Sequence, residues 1–414
     1  MQAVKYTPLD MLKNRLAKPA RKTIFQIVAI WLFLRFLTSL SAAAFSALKP
    51  FTSIEHQIAL WPPSWNFPAW LDRVVIAPWS RYDAVWFEQI LTHGYLAGDG
   101  STSFHPLYIW LSYPLYRLGV SAPLSLLLTS SLAALVFLGI FYRLARLDHE
   151  PATAWIAILL LTTFPVGFIL FAPYTESLFL VWASAALYTM RREHWGLAAL
   201  FSFLAALTRQ QGLFLALPLA WGVWEASKRS LQGVRKFWLA WLAPLAAPAG
   251  LVAWGIYRIG YLHEGSLDFS NIQRLIYSAF LSPSADKVIV GQVFRWPWDA
   301  LMVAISKAVY TPDLSVYINL VLGIGFLVAF IIAWKYLSIA DRLYSFAIIA
   351  VSFSVTTGQY AYVSLPRHLF LATPVFIGLA AALQKSRYKQ ILFACQTLGL
   401  IFLIYAYVLN GWIP

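Results

Sequence analysis

Residues 123–141 read PLSLLLTSSLAALVFLGIF, a run without a charged side chain that Arg143 and Arg146 soon follow. A helix rises about 1.5 Å per residue, so about 20 apolar residues cross roughly 30 Å of hydrocarbon. Inside that layer a helix satisfies its own backbone hydrogen bonds. This stretch therefore predicts a transmembrane helix with a basic flank.

Similar apolar runs recur along the whole chain, separated by short polar connections. The alternating polarity typical of a membrane β-barrel is missing from them. The sequence therefore predicts an all-α polytopic integral membrane protein, a single transmembrane domain over residues 1–414 with about 11 transmembrane helices. The runs are residues 24–48, 123–141, 155–171, 178–190, 195–207, 213–223, 237–256, 316–333, 343–363, 369–383 and 391–409.

Composition supports the same class. Hydrophobic residues make up 60% of the chain and charged residues only 12%, against roughly 25% charged in ordinary globular proteins. The net charge of +14 sits in short clusters between apolar runs, which indicates membrane orientation and contact with anionic lipids and not nucleic-acid binding. The lone Cys395 excludes an internal disulfide and a cysteine-based metal site.

Basic clusters recur at alternate connections, as the positive-inside rule requires of the cytoplasmic side. The amino terminus, with its lysines and arginines before Ile24, is predicted to be cytoplasmic, and residues 24–48 to be an uncleaved first span in the plasma membrane. Residues 49–121 then form a first external loop with amphipathic interfacial helices, and residues 257–313 a second long external loop. This count requires residues 105–118 to lie along the outer surface; if they span the membrane, every later basic cluster moves outside.

Two carboxylates fall in external connections. Asp83 lies in Ser80-Arg81-Tyr82-Asp83-Ala84-Val85-Trp86-Phe87-Glu88, where partial desolvation would suit a general base; the alternative is an interfacial helix whose charges meet water and headgroups. Glu176 follows Pro173-Tyr174-Thr175, where it can serve a site or simply favour the dipole of the helix that begins there.

Arginines occupy the same predicted rim. Arg209 with Gln210, and Arg367 with His368, stand at outer ends of spans, and a guanidinium group suits phosphate; snorkelling to lipid phosphate is the alternative. Arg35 lies near the middle of the first span and must have a partner inside the bundle. Structural pairing and binding of a substrate phosphate both fit Arg35, and His105 is either a site residue or a structural one.

Some classes of site are missing from the sequence. There is no phosphate-binding loop for ATP, no dinucleotide fingerprint and no soluble stretch long enough for a nucleotide-binding domain. A donor substrate is therefore expected to arrive within the membrane. Cofactors stay open, including a divalent metal, because the spacing of Asp83, Glu176 and the histidines matches no metal motif.

Taken in order, six short blocks of this chain resemble the PIG-V family, the second mannosyltransferase of GPI-anchor assembly, and its prokaryotic relatives. Leu34-Arg35-Phe36-Leu37-Thr38 is also similar to the first span of that family. Two positions depart from the pattern, since Tyr82 stands where the family usually has Trp and Ile109 where it has a second Pro. The blocks are Arg81-Tyr82-Asp83-Ala84, His93-Gly94-Tyr95, Phe104-His105-Pro106-Leu107-Tyr108, Tyr174-Thr175-Glu176-Ser177-Leu178-Phe179, Thr208-Arg209-Gln210-Gln211-Gly212 and Pro366-Arg367-His368.

The resemblance implies a helical bundle of the GT-C superfamily that transfers a hexose, as a mannosyltransferase, from a polyprenyl-phosphate-linked donor with inversion. It implies Asp83 as general base and Glu176 as a residue that orients the acceptor or the sugar. Other residues would bind substrate: Arg35, Arg209 and Arg367 the leaving phosphate, Trp86 and Tyr108 the sugar or isoprenoid, with Arg81, His105, Tyr174, Gln210 and His368 in the matching blocks.

Two other functions stay open on the sequence. Arg35 at mid-membrane also fits a transporter or flippase for a lipid-linked sugar. A non-catalytic subunit that binds lipid-linked glycan for a partner enzyme is the third reading. The sequence names neither the sugar nor the acceptor, which could be a lipid, a glycan or a protein.

Overall fold

A computed structural model describes residues 21–48, 75–263, 292–311, 313–357, 361–362 and 364–409. Much of the predicted loops 49–121 and 257–313, and most of the basic amino-terminal segment, lie outside these residues. The regular secondary structure of the described residues is almost entirely helical. In order, the helices are α1 Arg21–Leu48, α2 Asp83–His93, α3 Leu107–Arg117, α4 Ala122–Ala145, α5 Pro151–Thr163, α6 Glu176–Met190, α7 Trp195–Thr208, α8 Ala216–Ala226, α9 Leu231–Lys236, α10 Ala243–Gly260, α11 Pro297–Tyr310, α12 Leu314–Ala333, α13 Ile339–Ser352, α14 Leu365–Leu369, α15 Pro374–Leu383 and α16 Tyr388–Val408.

Five helical segments among the described residues are long and apolar enough to cross a membrane: Arg21–Leu48, Ala122–Ala145, Trp238–Gly260, Leu314–Tyr336 and Tyr388–Val408. The protein is therefore a multi-pass membrane protein, as the sequence predicts. The other six predicted runs form shorter or interrupted helices among the described residues. The count of about 11 transmembrane helices stays a prediction.

Helix breaks explain the shorter elements. α5 ends at Thr163, just before Pro165, and a 3₁₀ turn over Gly167–Phe171 continues the run, because proline cannot extend a helix through its own position. The run 343–363 leaves its helix at Ser352 and enters a short strand. That strand, β2 Val355–Thr357, pairs antiparallel with β1 Gln292–Phe294, with Val293 opposite Thr356.

α3 is 11 residues long, or about 16 Å. That length is well below the thickness of the hydrocarbon layer. The placement of residues 105–118 along the outer surface stays a prediction.

The centre of the bundle is α6, whose side chains are nearly all buried. It packs against α4 and α7, and α7 packs in turn against α10. At the carboxyl end of α6, Arg191 pairs with Asp148 at 2.6 Å and with Asp341 at 3.2 Å. The amino end of α6 lies about 22 Å away along its axis, and it carries the candidate site.

Candidate active site

Four charged side chains from distant parts of the chain meet at the amino end of α6. Asp83 is the first residue of α2 and Glu176 the first residue of α6. Arg209 directly follows α7, and Arg367 lies in α14. Three of these groups thus lie at helix ends, and Arg367 lies in the middle of the five-residue α14. We call the four side chains the acid–arginine cluster.

The cluster is a continuous chain of ion pairs. Arg367 donates through Nη1 to Oδ2 of Asp83 at 2.6 Å and through Nε to Oε1 of Glu176. Arg209 donates through Nη1 to the same oxygen of Glu176 at 2.7 Å. Two carboxylates and two guanidinium groups therefore alternate, which balances their charges within a desolvated site.

Exposure separates the members of the cluster. The side chain of Glu176 has no exposed surface, and those of Arg209 and Arg367 are nearly buried, whereas that of Asp83 is 32% exposed. Burial acts to raise the pKa of Glu176, but Arg209 and Arg367 outweigh it and hold that pKa below its ordinary value. Glu176 thus pairs with both arginines as a buried, charged carboxylate, and Asp83 is the more exposed of the two carboxylates.

This geometry changes the role expected for Glu176. Arg209 and Arg367 both contact Oε1 of Glu176, and its side chain has no exposed surface. We therefore propose that Glu176 positions Arg209 and Arg367 rather than orienting the acceptor or the sugar.

The aromatic ring of Tyr174 packs against Arg367. Its guanidinium carbon lies 4.4 Å from the centre of the Tyr174 ring, a cation–π contact. The Tyr174 hydroxyl donates to the carbonyl of Arg81 at 3.0 Å, and it accepts a hydrogen bond from the Tyr407 hydroxyl at 3.3 Å. Tyr174 is itself nearly buried. The face of its ring therefore supports the Arg367 guanidinium group.

Two residues that sequence reasoning missed extend the cluster. Thr175 accepts a hydrogen bond from Arg209 at 2.7 Å, and Gln211 accepts one from Nε of Arg209 at 3.4 Å. The amide nitrogen of Gln211 then lies 3.2 Å from Nδ1 of His368. A hydrogen-bond partner has no recognisable pattern in a single sequence. The only sign that these two residues belong to the site was their position next to Glu176 and Gln210.

Four other predicted substrate-binding residues, like Tyr174, contact backbone carbonyl groups. Arg35 donates to the carbonyl of Phe171, and its guanidinium lies 5.8 Å from the centre of the Trp79 ring. Arg81 is buried and donates to the carbonyl of Val408. These contacts supply the intrabundle partner that Arg35 requires, and they favour its structural reading.

Tyr108 and His105 complete that group. The Tyr108 hydroxyl donates to the carbonyl of Leu126 at 2.8 Å, and its side chain is fully buried, so it has no surface on which a sugar could stack. Nδ1 of His105 lies 2.7 Å from the carbonyl of Ala206, and burial is the main cause that lowers the pKa of His105 to about 4. A substrate contact of Tyr108 stays a prediction that its burial does not favour, and His105 fits the structural reading.

The remaining predicted residues keep some exposure. Trp86 is partly exposed and stacks on Phe104, with ring centres 5.9 Å apart. Gln210 is also partly exposed and lies between Arg209 and Gln211. Roles for Trp86 and Gln210 in substrate binding stay predictions. Over the ranges that the structure describes, no three His, Cys, Asp or Glu side chains form a group able to hold a metal ion.

Comparisons with known proteins were made by sequence and by structure. No protein-family model and no curated protein matches the sequence, so the PIG-V resemblance stays a prediction. Among solved structures, the chain is similar to ArnT from Cupriavidus metallidurans, crystallised bound to undecaprenyl phosphate. The TM-score is 0.45 at 13% identity; the match covers 92% of this chain, which spans 63% of that chain's length.

Proposed function

We propose that this protein is an inverting glycosyltransferase that transfers a hexose from a polyprenyl-phosphate-linked donor to an acceptor on the extracytoplasmic face. The acid–arginine cluster is the observation that carries this proposal. It joins one accessible carboxylate to two guanidinium groups, and these are the groups needed to activate a hydroxyl and to stabilise a leaving phosphate. Mannose as the sugar, and kinship with PIG-V, rest on the sequence resemblance.

A lipid carrier fits the surroundings of the cluster. The cluster lies at the end of a central helix in a multi-pass bundle, and the chain has no nucleotide-binding motif. A lipid phosphate can approach such a site from the bilayer, where guanidinium groups bind it through charge-assisted hydrogen bonds.

In the proposed reaction, Asp83 acts as general base. Its carboxylate accepts the proton of the acceptor hydroxyl while the hydroxyl oxygen forms a bond to the anomeric carbon. The bond from that carbon to the phosphate oxygen breaks on the opposite face, and the phosphate leaves with the electron pair. Attack opposite the leaving group inverts the anomeric centre.

Arg367 links the two halves of this reaction. Its Nη1 pairs with Oδ2 of Asp83 at 2.6 Å, so the carboxylate and a donor phosphate would compete for the same guanidinium group. A donor phosphate that engages Arg367 would draw positive charge away from Asp83. Donor binding would thereby free the Asp83 carboxylate to face the acceptor hydroxyl, while Glu176 keeps both arginines in place.

The direct test uses purified protein in lipid nanodiscs with undecaprenyl-phosphate mannose as donor and a lipid extract or peptide pool as acceptor. Release of undecaprenyl phosphate and sugar transfer are measured. Asp83→Asn should lower turnover by about 10²- to 10⁴-fold, the usual contribution of a general base.

Asp99→Asn is the matched control. Asp99 follows α2 in the same connection and accepts a hydrogen bond from the amide of Ser101, which an asparagine oxygen can also accept. It should keep its turnover. Unchanged turnover in Asp83→Asn would remove the proposed base.

The flippase alternative is tested in the same preparation after reconstitution into vesicles. It was suggested by Arg35 at mid-membrane, and Arg35 contacts the carbonyl of Phe171 and the ring of Trp79. Movement of the lipid-linked sugar across the bilayer without transfer would favour that alternative. Inactivity that a partner protein rescues would favour a non-catalytic subunit.

A further inference from the structure

A second chain of polar contacts runs from the cluster to the imidazole of His368. Nε of Arg209 donates to Oε1 of Gln211 at 3.4 Å. Nε2 of Gln211 then lies 3.2 Å from Nδ1 of His368. One amide therefore connects a guanidinium group to a histidine ring.

The direction of hydrogen bonding along this chain is fixed by chemistry. A guanidinium group has donors only, so the atom of Gln211 that faces Arg209 must be the carbonyl oxygen. The amide nitrogen of Gln211 then faces His368 and donates to it. Since Nδ1 accepts that bond, the ring proton resides on Nε2.

The Nε2–H group of His368 points away from this chain of contacts. The His368 ring is partly exposed, and no other hydrogen bond of it occurs among the residues that the structure describes. Burial, with the positive charges of Arg209 and Arg367, lowers the pKa of His368 to about 3. The ring is therefore uncharged near neutral pH. It offers Nε2–H as a hydrogen-bond donor and does not act as an acid.

We propose that Gln211 holds the His368 ring so that Nε2–H donates to a phosphate oxygen of the lipid-linked substrate. The identity of this ligand rests on the proposed function, whereas the tautomer does not. Arg209 and Arg367 lie beside the ring and attract an anion to it. A phosphate oxygen accepts hydrogen bonds without needing to donate one, so it matches the Nε2–H group.

The tautomer is tested by ¹⁵N NMR of histidine-labelled protein in nanodiscs. The chain has seven histidines, and His368→Gln assigns the His368 signals by their loss. We expect Nδ1 unprotonated and Nε2 protonated between pH 5 and pH 8. Gln211→Glu places an acceptor-only side chain against Nδ1, so a proton should move onto Nδ1.

Gln210→Glu is the matched control for the added carboxylate. It introduces the same charge one residue away, and the His368 tautomer should stay as in the parent. Protonation of Nδ1 in the parent protein would overturn the proposal. An unchanged tautomer in Gln211→Glu would do the same.

Ligand binding is measured with undecaprenyl phosphate in nanodiscs and, separately, with inorganic phosphate. His368→Leu removes the donor and should weaken binding of undecaprenyl phosphate about 10-fold, as expected for one hydrogen bond to a charged group. His368→Gln retains an amide donor and should bind more tightly than His368→Leu.

The outcomes separate the two proposals. Equal affinity of His368→Leu and parent for undecaprenyl phosphate would overturn the donor contact with the proposed function intact. Absence of binding by every form would overturn the lipid-phosphate ligand and the proposed function together, while the NMR result still decides the tautomer. Full displacement by inorganic phosphate would assign the contact to free phosphate and overturn the lipid source.

Discussion

At the scale of single residues, Arg367 holds the cluster together because two of its nitrogens contact two different carboxylates. Nη1 pairs with Asp83 and Nε with Glu176. A lysine ammonium is a single compact charge and cannot reproduce both contacts. We expect Arg367→Lys to lower kcat/KM by about 10²-fold, the cost of losing one preorganised donor at a developing charge. The transfer assay described for Asp83→Asn measures this loss.

Arg342→Lys is the control for this exchange. Arg342 lies over the Trp334 ring and donates to the Trp334 carbonyl, away from the acid–arginine cluster. Its kcat/KM should stay close to that of the parent. Equal losses in the two variants would assign the effect to general disturbance of the bundle.

Glu88 is a buried carboxyl in α2 that the proposed reaction does not use. Its exposure is 4%, and burial raises its pKa to about 8, with a smaller opposing effect of the Ser80 hydroxyl. The folded protein therefore keeps this proton over a pH range in which the unfolded chain releases it. Stability from Glu88 is full below the ordinary carboxyl pKa and is lost as pH rises towards about 8.

Glu88→Gln should remove this pH dependence, because an amide does not ionise. We expect the Tm difference between pH 6 and pH 9 to be smaller in the variant than in the parent. Thermal unfolding in detergent at both pH values measures it. Glu193→Gln, which replaces an exposed glutamate, should leave the parent difference unchanged; an equal effect of both substitutions would contradict the assignment to Glu88.

At the scale of elements, run length predicts some helices well and others poorly. The runs that became α1, α4, α12 and α16 are predicted because a helix that meets lipid must be long and apolar throughout. The run 343–363 is predicted less well, since α13 ends at Ser352. Inside a bundle, neighbouring helices can satisfy the backbone polar groups that a helix end leaves unpaired. A short helix therefore costs little free energy there.

The side-chain contacts within the site were harder to predict from the sequence than the helices were. Asp83, Glu176, Arg209 and Arg367 could be selected by residue type and rim position. Their pairing could not, because Asp83 and Arg367 are 284 residues apart. The burial of Tyr108 depends likewise on α4, whose Leu126 carbonyl accepts its hydroxyl.

The turn that carries Arg209 and Gln211 depends on close approach to α7. A Cβ added to Gly212 would lie 2.3 Å from the amide nitrogen of Ala206 and 2.5 Å from the carbonyl carbon of Ala205. Backbone atoms cannot yield as a flexible side chain can. We therefore expect Gly212→Ala to lower the free energy of unfolding by about 2 kcal/mol, within the usual range for overpacking.

Chemical or thermal unfolding in detergent measures this loss of stability. Turnover in the transfer assay should fall as well, because the substitution displaces Arg209. Gly196→Ala is the control, since a Cβ there meets no atom within 4 Å. Its stability should stay within about 1 kcal/mol of the parent, in line with helix propensity. A Gly212→Ala variant as stable as the parent would contradict the close packing.

At the scale of the whole molecule, α6 joins two polar ends of different character. Its amino end carries the acid–arginine cluster, and its carboxyl end carries Arg191 between Asp148 and Asp341. The alternation of basic clusters predicts that the second end is cytoplasmic. The proposed function requires this orientation, because the cluster must then face away from the cytoplasm.

Cysteine labelling tests the orientation directly. Cys395 is exposed, so it is first replaced by alanine. Ala97→Cys then marks the connection after α2, and His194→Cys marks the connection between α6 and α7; both positions are exposed. A membrane-impermeant maleimide should label Ala97→Cys in intact cells and His194→Cys only after permeabilisation, with the Cys395→Ala parent unlabelled throughout. The reverse pattern would place the cluster in the cytoplasm, and labelling of both in intact cells would mean that α6 does not cross the membrane.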